Sequence, residues 1–90
     1  MLHSPTEKWP FTLQLRYDSA NDVIKDVVYV NLTSKTKLNL RVVDYQGYSI
    51  KLRGYDGQKD FTISFEAGDP YTGESWWGNH RESIELFPVQ

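Results

Sequence analysis

Five stretches of this chain alternate apolar and polar residues with a period of two, and that alternation limits the fold more than any other feature. In the first, Phe11, Leu13, Leu15 and Tyr17 share one parity while Thr12, Gln14 and Arg16 take the other. Successive side chains of a β-strand point to opposite faces, so the pattern predicts a half-buried strand. The same holds for Leu38, Leu40 and Val42, for Tyr48, Ile50 and Leu52, for Phe61, Ile63 and Phe65, and for Ile84 and Leu86. Val23 to Val30 is dense in β-branched residues; we read Ile24, Val28 and Val30 as inward, with Val27 and Tyr29 partly covered. Val43 and Tyr45 follow Val42 with the opposite parity, which marks a bulge or a strand passing between sheets.

Turn chemistry separates these stretches. Asp18 to Asp22 holds residues that bond to their own backbone. Asn31 to Thr36 is a polar connection, Gln46-Gly47 makes the next turn, and Asp56-Gly57 accepts the positive φ angles of a tight hairpin. Prolines 5 and 10 make residues 1–9 an extended lead-in, with Trp9 closing one end of the core. Ala67 to Arg81 reads as one long loop, because Asp69-Pro70 and Thr72-Gly73 interrupt any ladder. No run of ten residues has helical periodicity. The expectation is a single all-β domain over residues 1–90, an antiparallel, immunoglobulin-like β-sandwich of six to seven strands. A small β-barrel is the alternative.

Ninety residues support one thin core. With no cysteine, neither a disulfide framework nor a thiolate metal site can form, and the compartment stays open. A formal charge of −2 and a pI near 5.6, with the basic residues scattered, argue against nucleic acid as a partner. Lys35 and Lys37 are the nearest thing to a basic patch and fit turn solubilisers. No apolar run approaches the ~20 residues of a membrane helix, and the first residues lack the features of a signal peptide. Asn31-Leu32-Thr33 has the form of a glycosylation acceptor.

Catalytic chemistry finds little to work with. His80 is the one imidazole outside the lead-in; Ser75, Ser83 and Glu82 lie near it in sequence, and a solvent-exposed loop histidine explains it as well. Glu66, Asp69, Glu74 and Glu82 could supply paired carboxylates, but so small a domain has little room for the cleft a glycoside hydrolase needs. His80 and Glu82 lack the further ligands of a zinc site. Asp56, Asp60, Glu66, Asp69 and Glu74 lack the regular spacing of a calcium loop. We therefore expect no enzyme and no cofactor.

The stretch Tyr71 to Glu82 is the distinctive one. A sugar presents apolar C–H faces rimmed by hydroxyls, which a protein meets with aromatic rings and hydrogen-bonding side chains. Tyr71, Trp76 and Trp77 offer the rings; Asn79, His80, Arg81 and Glu74 offer the hydrogen bonds. Adjacent tryptophans on an extended backbone point to opposite sides, so one anchors and the other stays available. Burial of both rings as core plugs is the competing reading.

Residues 47–87 resemble the small starch- and glycogen-binding modules attached to amylases and starch synthases. Phe61 to Phe65 is similar to their penultimate strand, Trp76-Trp77-Gly78-Asn79-His80 to their Trp-plus-Asn loop, and Glu82 to Leu86 to their closing strand. His80 stands where those modules carry a second Asn, and only Trp9 could serve as the further tryptophan of the N-terminal half. The resemblance implies a β-sandwich that binds α-glucans without catalysis. The expected site is Trp76, Trp77, Asn79 and His80, with Tyr71 as a second platform. The alternative function is protein interaction or self-assembly, with Val23 to Val30 pairing edge to edge and Lys25 and Asp26 as guards.

Overall fold

A computed structural model describes residues 1–5, 10–21 and 23–89 of the chain. It contains β1 (Leu2–Ser4), β2 (Phe11–Asp18), β3 (Val23–Asn31), β4 (Lys37–Tyr45), β5 (Ser49–Tyr55), β6 (Asp60–Glu66), β7 (Tyr71–Trp77) and β8 (His80–Pro88). Each strand pairs antiparallel with the next, and β1 also pairs with β8, so the eight strands close into one up-and-down barrel. The expected sandwich is thereby replaced by its alternative. The two architectures share the same alternation along each strand; what separates them is whether first and last strands meet.

That meeting is short. Leu2 and His3 face Pro88 and Phe87 on one side, while Leu2 to Ser4 face Leu13 to Phe11 on the other. The first residues of the extended lead-in form the staple that closes the wall. Trp9 lies outside the described residues. The second departure is the stretch from Ala67 to Arg81, which is no long loop. Tyr71 to Trp77 forms β7, paired with β8 along its whole length and with β6 from Thr72 to Trp77.

The alternating apolar residues point inward. Leu13, Val27, Leu40, Leu52, Ile63 and Leu86 form a waist in which none is more than 1% exposed. Burying a side chain of this kind stabilises the fold by about 1.5–3 kcal/mol, and an eight-stranded barrel is just wide enough to be filled this way. Outside, Gln14, Arg16, Lys51, Arg53, Arg81 and Glu85 stand in solvent.

In β3 the inward set differs from expectation: Val27 and Tyr29 are buried, while Val28 and Val30 are half-covered. The cause is a register shift opposite Arg16 and Tyr17, where Arg16 pairs with Asp26 but Tyr17 pairs with Ile24. The extra residue, Lys25, turns the following parity over. The irregularity expected near Val43 is present as a second shift, with Val42 opposite Leu52 and Asp44 opposite Lys51. Tyr48 was grouped with Ile50 and Leu52, but it is exposed at the barrel's end.

Candidate functional site at one mouth of the barrel

The connections β3–β4, β5–β6 and β7–β8 all lie at the same end, and a hollow of about 380 Å³ opens there. Its apolar lining is Phe11, Tyr29, Phe61, Trp77 and Ile84, and its polar lining is Asn31, Lys59, Ser75, His80 and Glu82. The period-two rule explains the grouping. Phe61, Trp77 and His80 sit side by side in register on β6, β7 and β8, and Ser75 faces Glu82 one step deeper.

The aromatic part is tightly stacked. Trp77 lies 4.3 Å from Phe61 between ring centroids and 6.0 Å edge-on from Tyr29, which also meets Phe61 at 4.8 Å and Phe11 at 5.1 Å. Tilted and edge-to-face pairs at such distances add about 0.5–1.5 kcal/mol each beyond area burial. Trp77 is only half-buried, so it is both part of this cluster and part of the opening.

The polar part is held by a few bonds. His80 Nε2 donates to Glu82 Oε1 at 2.9 Å. Asn31 is buried: its Oδ1 accepts from the Thr33 and Ser34 backbone N–H groups at 2.9 Å each, and its Nδ2 donates to the Tyr29 hydroxyl at 3.3 Å. Asn31 therefore fixes the β3–β4 connection, and its amide is committed indoors instead of being displayed for glycosylation. Burial pushes the Tyr29 hydroxyl above its ordinary pKa; the Asn31 hydrogen bond opposes the shift and the Glu82 charge adds to it. Lys59 and Glu82 bring one charge of each sign to the lining.

The expected site residues divide between four places. Trp77 and His80 meet at the mouth, together with Glu82 and Ser75. Trp76 is on the outer wall, level with Thr62 and Arg81, beside the Arg81–Glu74 ion pair at 2.7 Å. Tyr71 is at the far end of β7, edge-on to Phe65 at 6.1 Å, in a separate apolar hollow with Leu15, Ile24, Tyr45 and Tyr48. Asn79 occupies the exposed two-residue turn between β7 and β8, where Gly78 takes a φ of 57°.

Asn31, Tyr29, Lys59 and Phe61 were not expected at the site. One signal was available: Gly78-Asn79 is a two-residue hairpin signature, and counting outward from it by twos places Trp77, Ser75, His80 and Glu82 on one face. The contributions of β3 and of the β5–β6 turn follow only from closure. Among the described residues no three His, Asp or Glu side chains gather as metal ligands. Comparison with family models, with curated proteins and with solved structures finds no match for this chain.

Proposed function

We propose that this domain is a non-catalytic carbohydrate-binding module whose barrel mouth takes a sugar unit, with α-glucans of the starch and glycogen type as the ligand class. The convergence of Trp77 with His80, Glu82, Asn31, Ser75 and Lys59 on one opening supports this reading. Trp77 supplies an apolar surface for the C–H face of a sugar ring. The surrounding carboxylate, imidazole, hydroxyl and ammonium groups, with the second N–H of the Asn31 amide, supply acceptors and donors for hydroxyls. The opposite charges of Lys59 and Glu82 suit a neutral polyol better than an anion. The choice of α-glucans among sugars rests on the resemblance of residues 47–87 to starch-binding modules, whose sandwich fold the closed barrel does not share.

Recognition without bond chemistry fits the polar groups. His80 hydrogen-bonds to Glu82, and among the described residues no serine hydroxyl bonds to the imidazole to act as a nucleophile. Calorimetric titration with maltose and soluble glycogen tests the proposal. We expect weak binding that falls about tenfold or more in Glu82→Gln and His80→Ala, since a hydrogen bond to a charged group contributes about 1.5–3 kcal/mol. Failure of the folded protein to bind any glycan overturns it.

An interaction domain is the second reading, favoured by one observation. Tyr17, Val23, Tyr45 and Tyr48, each 43–62% exposed, stand at the end of the barrel opposite the mouth. Sedimentation of the protein with and without maltose separates the two: a stable dimer indifferent to sugar favours the second.

A further inference from the structure

Resting on the sugar-binding reading, we infer that the mouth recognises the end of a glycan chain and excludes its interior. The hollow is blind. Below its aromatic lining lies the waist of Leu13, Val27, Leu52, Ile63 and Leu86, each with no exposed surface, so nothing that enters at this end can leave at the other. Among the described residues, the opening is ringed by the β3–β4, β5–β6 and β7–β8 connections. A chain bound through an internal unit needs an entrance and an exit, as an open groove provides; among the described residues this hollow opens at one end.

Size leads to the same conclusion. About 380 Å³ lies near the lower limit of ligand pockets, roughly 300–1,000 Å³, which suits one or two sugar rings. The polar groups also come from different parts of the wall. Asn31 stands on β3, Lys59 in the β5–β6 turn, Ser75 on β7, and His80 and Glu82 on β8. A ring inserted here is met from several sides at once, so its hydroxyls must be free. In an internal unit of an α-1,4-glucan, the 4-oxygen is a glycosidic ether, which has lost its donor and carries the next ring. The terminal non-reducing unit keeps that hydroxyl.

Titration of the protein with maltose, maltoheptaose and β-cyclodextrin tests the inference, since the last has the same linkage and no end. Chain-end recognition predicts that maltose and maltoheptaose bind within about twofold of each other. It also predicts that β-cyclodextrin binds at least tenfold more weakly, a difference of about 1.4 kcal/mol or more. Maltitol, which keeps the non-reducing unit but has an opened reducing end, should bind like maltose. Equal binding of β-cyclodextrin, or affinity that climbs steadily with chain length, overturns end recognition while leaving the sugar reading standing. Absence of binding by all four ligands overturns both.

Discussion

The two neighbouring indoles show how much one residue of offset decides. Trp77 points into the barrel and touches Phe61 and Tyr29, whereas Trp76 lies outside against polar neighbours. The sequence leaves open which of the two rings anchors; in the structure it is Trp77 that packs against the core cluster. Trp77→Ala should therefore destabilise the protein by about 2–3 kcal/mol, at the lower side of a core aromatic truncation because the ring is only half-buried. Trp76→Ala should change stability by less than about 1 kcal/mol. Urea denaturation of both variants checks the contrast. Two glycines on the inner wall form a similar pair. A Cβ added at Gly73 would clash with the Ser64 carbonyl oxygen, a backbone atom that cannot yield without breaking the β6–β7 ladder. At Gly54 the nearest atom is Leu40 Cδ2 at 2.5 Å, the end of a side chain that can turn aside. Gly73→Ala should cost about 3 kcal/mol or prevent folding, and Gly54→Ala about 1 kcal/mol. Thermal unfolding of the two variants will rank them.

At the level of the strand, what could be read from the sequence depended on whether the signal was local. Phe11 to Tyr17, Leu38 to Val42, Phe61 to Phe65 and Ile84 to Leu86 declare themselves by alternation, and Asp56-Gly57 declares its turn. In that turn Asp56 Oδ1 accepts from the Gln58 and Lys59 backbone N–H groups at 2.8 and 2.7 Å, and Gly57 takes a φ of 99°. β7 is hidden because its inner face carries Gly73 and Ser75, which interrupt the apolar alternation. Those small residues are what the crowded wall and the hollow require. β1 was hidden because three residues are too few to show a period. The site was half legible for the same reason: Trp77 and His80 belong to one hairpin, whereas Asn31 on β3 and Lys59 in the β5–β6 turn come from elements distant in sequence. The edge suspected in β3 is also only partly real. Val27 to Val30 pair on both sides, with β2 and with Leu40 to Lys37 of β4, while Val23 to Asp26 pair with β2 alone. Lys25 is the extra residue there, and a bulged lysine is a device that discourages pairing with another chain. Amide hydrogen exchange should be slower for Val27 to Val30 than for Val23 to Asp26, and NMR-detected exchange will resolve the two halves.

Across the whole molecule, acid sensitivity follows from three carboxylates held below their ordinary pKa. The Asn21 side chain lowers Asp18, the paired Arg16 guanidinium lowers Asp26, and the Lys59 and Gln58 backbone N–H groups lower Asp56. For a group lowered in the folded state, the contribution to stability is present above the ordinary value of 3.8 and is lost as pH falls through the folded one. The urea midpoint should therefore hold steady from about pH 7 to about pH 5 and then drop below about pH 4. Closure has a consequence of its own. The barrel's seam brings Val89 N–H to the Met1 carbonyl at 2.9 Å, so the two extremities of the described chain lie side by side. A peptide of a few residues could join them without disturbing any strand. Reopening the resulting ring at the exposed Asp56-Gly57 bend should give a reordered polypeptide with the same circular dichroism, whose new ends flank the mouth of the barrel. Fluorescent tags attached there would report on occupancy directly.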